Sequence, residues 1–266
     1  MTTSKRASSC DPRKVRLGGV DFDPLREYEV VHTVVDEALA GRGGVVCPVN
    51  VDVARQHESS AQVRELVAEA DMVVADGMPL LWASRLAGAG LPERVAGSSL
   101  ITTLPPYAAE QGASLFFIGG NEGAAAGAAE TLERDNPGLD ISGTICPPYG
   151  FERDEAAMGR IEDELSAHRP HVVFVGLGFP KQELLIRRLR LVHPQAWYVS
   201  CGISFSFVAG EITRAPRVLQ VLGLEWLHRL AQEPRRLYRR YLIQGPAFLA
   251  RLTGDALRTR FRGLRA

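Results

Sequence analysis

The chain has 266 residues, 45% of them hydrophobic and 23% charged, which is enough apolar side chain for a full buried core. No stretch approaches the roughly 18 uninterrupted apolar residues that a membrane-spanning helix needs. The first 14 residues lack the apolar segment of a signal peptide and are predicted to be a disordered lead-in. The four cysteines are widely separated, without a C-x-x-C pair, so a disulfide framework is disfavoured and a cytoplasmic protein is expected.

The net charge of zero hides a division of charge along the chain. Residues 214–266 contain twelve Arg and three acidic residues, whereas residues 1–213 contain 19 basic and 28 acidic residues. Trp226, Tyr238 and Tyr241 are interleaved with the arginines, a combination typical of a membrane-surface segment. We therefore expect this segment to bind an anionic membrane. A packed helical appendage and a nucleic-acid-binding arm are the alternatives, and we expect no nucleic-acid partner.

Apolar strand-like runs alternate with helical patterns through residues 15–213. Strands are predicted at residues 43–49, 71–76, 114–120, 139–145, 171–178 and 196–202, and helices near residues 51–70, 79–88, 98–111, 121–135, 154–167 and from 180. This alternation predicts an α/β fold with an open, mostly parallel, Rossmann-like sheet covered by helices on both faces. Residues 214–266 are predicted to be a basic helical appendage.

Two glycine-rich strand ends are candidates for binding a diphosphate. In such folds ligands bind beyond the carboxyl ends of the strands, where helix N-termini present free N–H groups. Gly119 and Gly120 precede a helix that Asn121 is predicted to cap. Gly176 and Gly178 precede a helix with Pro180 at its first position. Tight turns without a ligand are the alternative, since neither stretch has the G-x-G-x-x-G or Walker pattern.

Polar side chains follow these and other strand ends. Lys181, Gln182 and Glu183, in "FVGLGFPKQE" (174–183), are predicted to point into the crevice or across its rim, unless they form a solvated first turn. Asp76 ends the run "MVVAD" and is a candidate general base, with a helix cap or an Asp-Gly turn as the alternative. The D-x-D spacing of Asp21 and Asp23 is interpreted as a turn, and we expect no metal there.

Taken together, these stretches resemble the WecG/TagA/CpsF family of bacterial glycosyltransferases, glycosyltransferase family 26. The resemblance covers roughly residues 15–250. It is carried by "ADGMPLLWASRLAG" (75–88), "PERVAGSSL" (92–100), "LFFIGGNEG" (115–123), "FVGLGFPKQE" (174–183) and "RAPRVLQVLGLEWLHRLAQEPRRLYRRYL" (214–242).

The resemblance implies an inverting, metal-independent and cofactor-independent transfer of a sugar from a UDP-sugar to a hydroxyl of a lipid-linked sugar acceptor. The donor is expected to be of N-acetylhexosamine type. The C-terminal appendage is expected to attach to the inner face of the cell membrane and to help close the site. The implied site residues are Asp76 as general base, Gln182 beside the donor sugar, Asn50 and Arg94 at the acceptor, and Gly119, Gly120, Asn121, Gly176, Gly178, Lys181, Glu183 and Arg214 at the nucleotide.

The chain departs from the family pattern at two positions. Pro48 stands where the family often has Thr, and Ser206, in "FSF", stands where the family commonly has Asp. Two alternatives stay open: a family member with a different acceptor, such as a specialised metabolite, and a non-catalytic sugar-nucleotide-binding protein. A dinucleotide-dependent oxidoreductase is disfavoured because the G-x-G-x-x-G pattern is missing. An apolar helical edge would support a homo-oligomer.

Overall fold

The computed structural model describes residues 14–213, 215–216, 218–219, 224–232 and 234–263. The predicted lead-in, except Lys14, and Arg214 at the predicted start of the appendage both lie outside the described residues. Lys14 forms an ion pair with Asp23, with 3.0 Å between Lys14 Nζ and Asp23 Oδ1.

Six parallel strands form the main sheet. They are β3 (Gly44–Val49), β4 (Met72–Ala75), β5 (Ser114–Gly119), β6 (Asp140–Ile145), β7 (Val172–Gly176) and β8 (Trp197–Ser200). Their order in the sheet is β4-β3-β8-β7-β5-β6, and the described pairings between them are parallel. The predicted fold class is therefore confirmed.

Helices cover both faces of this sheet. They are α1 (Glu27–Leu39), α2 (Val51–Ser59), α3 (Ala61–Ala68), α4 (Met78–Leu86), α5 (Gly97–Gln111), α6 (Ala124–Asp135), α7 (Glu155–His168), α8 (Lys181–Val192) and α9 (Ser204–Val208). Successive residues of a strand point to opposite faces, so Phe116 packs with α7 and α8 while Phe117 packs with α1, α5 and α6. The nearly continuous apolar strands of the sequence are thus explained by burial on both sides.

The described part of the chain begins with a hairpin that was not predicted from the sequence. Strands β1 (Val15–Leu17) and β2 (Val20–Phe22) pair antiparallel around Gly18 and Gly19, whose φ angles are 54° and 79°. Asp23 then bonds to edge strand β4 twice, through its N–H to the Val73 carbonyl and through Oδ2 from the Val73 N–H, both at 2.8 Å. The interpretation of residues 21–23 as a turn is wrong, because the turn lies at the two glycines and Asp23 extends the sheet edge.

The helix predicted near residues 51–70 is two helices. Ser60 lies between α2 and α3 with an extended backbone, φ −121° and ψ 121°. Its N–H bonds to the Gln56 carbonyl at the end of α2, and its hydroxyl accepts from the Val63 N–H at the start of α3. One residue therefore caps both helices, which a hydrophobic pattern alone does not show.

The basic segment is helical over its described residues from Glu225 onward and partly belongs to the core. It contains α10 (Glu225–Gln232), α11 (Pro234–Tyr238), a π-helical stretch (Arg239–Gln244) and α12 (Gly245–Gly263). Helix α12 packs against α2, α4 and the hairpin, and buries Phe248 and Leu252 there. A Cβ on Gly18 would lie 3.2 Å from the Phe248 ring, so the hairpin turn and this helix are in close contact. The predicted appendage therefore shares a hydrophobic core with residues 15–213.

The strand order creates a crevice between β5 and β7. From β5 the chain crosses through α6 to β6 on one side, and from β7 it crosses through α8 to β8 on the other. Helices α6 and α8 consequently lie on opposite faces, and the loops after β5 and β7 diverge. Such a switch point is where open α/β sheets bind ligands. Among the described residues, no helix is long and apolar enough to cross a membrane.

We predict that Phe248→Ala destabilises the whole protein. The Phe248 side chain is fully buried, so the substitution leaves a cavity and should cost about 3 kcal/mol or more of unfolding free energy in urea titrations. The control Tyr238→Ala removes an exposed aromatic side chain of the same basic segment and should cost less than about 0.5 kcal/mol. Equal, small effects would show that α12 is not part of the core.

Candidate active site

Residues predicted to form a site lie where the strands end, along the carboxyl edge of the sheet. Asp76 follows β4, Asn50 follows β3, Gly178 follows β7 and Gly120 follows β5. Gly202, which was not predicted, follows β8 between Asn50 and Gly178. Four inter-strand steps separate Asp76 from Gly120, a span of about 19 Å. The edge is therefore long enough for an extended ligand with two distinct ends.

Asp76 lies at one end of this edge, beside an arginine. Its N–H bonds to the Val49 carbonyl at 2.9 Å, and Val95 bonds to the Ala75 carbonyl at 2.9 Å, which holds the loop after α4 against the strand end. Arg94 Nη1 consequently lies 4.0 Å from Asp76 Oδ1. The Asp76 side chain remains 29% exposed, so a substrate hydroxyl can reach it.

The basic segment reaches the same place through Glu225. Glu225 is the first residue of α10, and its Oε2 lies 3.1 Å from Arg94 Nη1. Arg94 therefore connects the predicted base to the C-terminal segment. Sequence reasoning did not find Glu225. The signal that could have found it is its negative charge, since Glu225 is one of only three acidic residues among residues 214–266.

Asn50 caps the helix that follows β3. Its Oδ1 accepts from the N–H groups of Asp52 and Val53, at 3.0 and 3.1 Å. Two residues earlier, Pro48 has no N–H to give to the sheet. The pairing of β3 with β8 accordingly covers Gly44 to Val46 and stops before Pro48, while the pairing with β4 continues through it.

The glycines of the crevice are required by close packing of the backbone. A Cβ on Gly119 would lie 2.5 Å from the Gly176 carbonyl oxygen, and one on Gly176 would lie 2.7 Å from that of Gly202. The N–H of Gly120 bonds to the Gly176 carbonyl at 2.8 Å. This N–H is thus used within the protein and is not directed at a ligand.

Asn121 does not cap α6. The N-cap of that helix is Gly123, which has φ 81° and no side chain to serve as a cap. Asn121 Nδ2 instead points across the crevice to Ser206 Oγ at 3.5 Å and to Glu211 Oε2 at 3.3 Å. The prediction of a cap is wrong because the chain makes an additional turn between β5 and α6. Ser206, at the position where the resembled family has Asp, is buried beneath this contact.

Gln182 points inward and joins two loops. Its Oε1 accepts from the Gly178 N–H at 3.2 Å and from the Gly202 N–H at 3.1 Å. Its Nε2 donates to Glu183 Oε1 at 2.9 Å. The Gln182 side chain therefore ties the loop after β7 to the loop after β8.

Glu183 is buried below Gln182, between the sheet and α8. Burial raises the pKa of the Glu183 carboxyl, whereas hydrogen bonds from Gln182, from its own backbone and from the Ser200 hydroxyl act to lower that pKa. The Cys47 thiol in β3 is buried as well, and this burial, together with the negative charge of Glu183, raises the pKa of the thiol. Glu183 was predicted to point into the crevice or across its rim, and that prediction is wrong.

Lys181 lies on the rim, as one of the two predicted placements has it. Its Nζ is 2.7 Å from Glu152 Oε1 and 5.4 Å from the centre of the Tyr149 ring, both in the loop region after β6. The bond from Lys181 lowers the pKa of the Glu152 carboxyl. Pro180 is the N-cap of α8, one residue before the predicted position, and follows a cis peptide bond. Across the part of the chain described, no three His, Cys, Asp or Glu residues are grouped to hold a metal ion.

Comparison with known proteins decides the family. The Glycosyl transferase WecG/TagA/CpsF family matches residues 15–262 of this chain. The chain belongs to this family of glycosyltransferases. An N-acetylglucosaminyldiphosphoundecaprenol N-acetyl-β-D-mannosaminyltransferase of Bacillus spizizenii is 32% identical over 201 residues, which are 76% of each protein. The resemblance inferred from the motifs is confirmed. Within a glycosyltransferase, the edge from Asp76 to Asn121 is the candidate active site.

We predict that Gly119→Ala disrupts the crevice while Gly123→Ala does not. Both glycines have positive φ, 110° and 81°, but only the Cβ at position 119 meets backbone atoms, whereas nothing lies within 4 Å of the one at position 123. Gly119→Ala should cost about 3 kcal/mol or more of unfolding free energy, and Gly123→Ala about 1 kcal/mol. Equal losses in thermal and urea unfolding would contradict the packing argument.

Proposed function

We propose that this glycosyltransferase transfers an N-acetylhexosamine-type sugar from a UDP-sugar to a hydroxyl of a lipid-linked sugar acceptor, with inversion and without a metal. The observation that carries the proposal is Asp76, a partly exposed carboxylate at the carboxyl end of β4 in a protein of this family. The enzymatic activity named for the Bacillus relative supports the same substrate class.

Asp76 acts as the general base in this mechanism. The acceptor oxygen attacks the anomeric carbon, its proton passes to the Asp76 carboxylate, and the bond from that carbon to the UDP oxygen breaks. Attack opposite to the leaving group inverts the anomeric centre, so one base on the acceptor side is sufficient. Arg94, 4.0 Å from Asp76 Oδ1, limits the positions of that carboxylate and faces the acceptor. Asn50, which begins α2 at the end of the neighbouring strand, borders the same acceptor region.

The donor nucleotide occupies the crevice between β5 and β7. Its charge must be balanced as UDP leaves, and helix N-termini and basic side chains provide such stabilisation. Since the N–H groups of Gly120 and Gly178 are bonded within the protein, we assign this role to Lys181 on the rim and to arginines of the basic segment. Arg214 is one of these arginines and lies outside the described residues.

The basic segment attaches the enzyme to the inner face of the cell membrane, where a lipid-linked acceptor would be presented. Leu242 and Ile243 in the π-helical stretch are 55% and 58% exposed, and Arg235 and Arg239, which precede them in the chain, are exposed as well. Exposed apolar residues flanked by arginines suit the interface of an anionic bilayer. Glu225 of the same segment contacts Arg94, so attachment and the acceptor side of the site are adjacent.

A second candidate is the same donor chemistry with a different acceptor. It is favoured by Pro48, which stands two residues before Asn50 and offers neither a hydroxyl nor an N–H to an acceptor. Asp76 and Arg94 are present regardless of the proline at position 48. Assays of acceptors that lack the lipid diphosphate separate the two candidates.

We predict that Asp76→Asn lowers kcat by about 10²–10⁴, the usual contribution of a general base. The assay measures UDP release from UDP-N-acetylmannosamine with a synthetic polyprenyl-diphosphate N-acetylglucosamine acceptor. The dissociation constant of UDP should change by less than about twofold, because Asp76 lies at the acceptor end. Asp135→Asn, at the exposed end of α6, is the control and should leave kcat unchanged. A kcat for Asp76→Asn within threefold of the wild type would remove Asp76 from this role.

We predict that the double substitution Arg235→Ala and Arg239→Ala weakens binding to anionic vesicles about 30-fold, since each basic residue near the surface adds about 1 kcal/mol. Sedimentation with vesicles containing phosphatidylglycerol measures this binding, which should also weaken with added salt. Arg134→Ala on α6 removes an exposed arginine elsewhere and is the matched control. Equal binding by all three proteins would contradict the attachment through this segment.

A further inference from the structure

The side-chain amide of Gln182 could adopt two orientations, related by exchange of its oxygen and its NH₂ group. The side-chain amide has an acceptor end and a donor end of nearly equal shape, and here the acceptor end faces two N–H groups. If the amide were reversed, its NH₂ group would face the N–H groups of Gly178 and Gly202, and three donors would meet without an acceptor. The side chain is only 7% exposed, so water cannot repair the mismatch.

Glu183 removes this ambiguity. A carboxylate oxygen only accepts, so Glu183 Oε1 selects the NH₂ end of Gln182 and directs the carbonyl end to the two glycines. Glu183 is 6% exposed and is held within α8, so it cannot turn away from Gln182. A neighbouring side chain thus determines which end of Gln182 faces the loops.

Stability alone does not account for this carboxylate. The Glu183 carboxyl is buried, and burial raises the pKa of that carboxyl although hydrogen bonds from Gln182 and from the Ser200 hydroxyl act in the opposite direction. Burying a polar group in this way destabilises a fold, and an apolar side chain of similar size would be less costly. An arrangement that costs stability at the edge of a candidate active site indicates a contribution to the site.

The two loops held by Gln182 border the proposed donor site. Gly178 follows β7 at the switch point, and Gly202 follows the adjacent β8. Their φ angles of 76° and 61° turn both N–H groups towards the same oxygen. The spacing of the two loops therefore depends on the acceptor that Gln182 presents to them.

We propose that Glu183 is a positioning residue, which orients the Gln182 amide so that its carbonyl oxygen clamps the loops after β7 and β8 at the spacing needed by the donor. This inference rests on the proposed function. Gln182 then acts on the donor through the loops that it holds. What activity requires is one amide and one carboxylate at positions 182 and 183, more than which position carries which group.

A reciprocal exchange tests the proposal. In Gln182→Glu, two carboxylates face each other in a buried position and repel, and at pH 8 we expect kcat/KM to fall about 100-fold. In the double variant Gln182→Glu with Glu183→Gln, the carboxylate accepts from both glycines and the new amide donates to it. Activity should return to within about threefold of Glu183→Gln alone.

The same variants distinguish a clamp from a direct contact with the donor. If the Gln182 NH₂ group itself bound the sugar, the double variant would be as inactive as Gln182→Glu, and the proposal would be overturned. Unchanged activity of Gln182→Glu at pH 8 would overturn it as well.

A second measurement is independent of turnover, so its result stands even if the proposed function fails. Hydrogen exchange of the Gly178 and Gly202 amides, followed by NMR with ¹⁵N-glycine, reports the clamp directly. We expect protection of both amides to fall at least about tenfold in Glu183→Ala and to be retained in Glu183→Gln, which keeps an acceptor for Gln182. Full protection in folded Glu183→Ala would show that Glu183 does not orient the amide.

Discussion

The site depends on glycines that allow backbone segments to pack directly against each other at the carboxyl edge of the sheet. A Cβ on Gly97 would lie 2.4 Å from the Ser200 carbonyl oxygen, and one on Gly119 would lie 2.5 Å from that of Gly176. These approaches bring the end of β5 against β7 and the start of α5 against β8. The same close packing places the loops after β7 and β8 near enough for Gln182 Oε1 to accept a hydrogen bond from each of them. The glycines are therefore required by the packing of the backbone, and they affect ligand binding only because this packing shapes the site.

This packing has an electrostatic consequence. The N–H groups of Gly120, Gly178 and Gly202 are bonded within the protein, so under the proposed function the charge of a leaving diphosphate must be balanced by other groups. Residues 1–213 contain 28 acidic and 19 basic residues and cannot supply an excess of positive charge, whereas residues 214–266 contain twelve Arg. Under the proposed function, the division of charge along the chain places the cations on the segment that meets the site through Glu225.

The predictions from sequence succeeded where a pattern is long and local. Five of the six strands are almost entirely buried and were found as apolar runs, whereas the edge strand β6 is partly exposed. The helices that follow these strands were predicted as well. The hairpin was missed because three-residue strands give too little alternation, and α1 was passed over. Asn121 and Gln182 were placed at the correct edge, but their partners, Ser206, Glu211 and Gly202, lie 20 to 90 residues away in sequence. Spacing along the chain cannot show which of several neighbouring groups a side chain will choose.

The C-terminal segment combines two parts with different physical roles. Helix α12 is fixed to the core through Phe248 and Leu252, whereas the π-helical stretch before it exposes Leu242 and Ile243. This exposed apolar strip lies between α12, which is packed in the core, and α10, whose Glu225 contacts Arg94. If that strip binds the bilayer, the membrane sets the orientation of the whole sheet edge. Arg94 and Asp76 then face the acceptor as a consequence of attachment, without a separate conformational step.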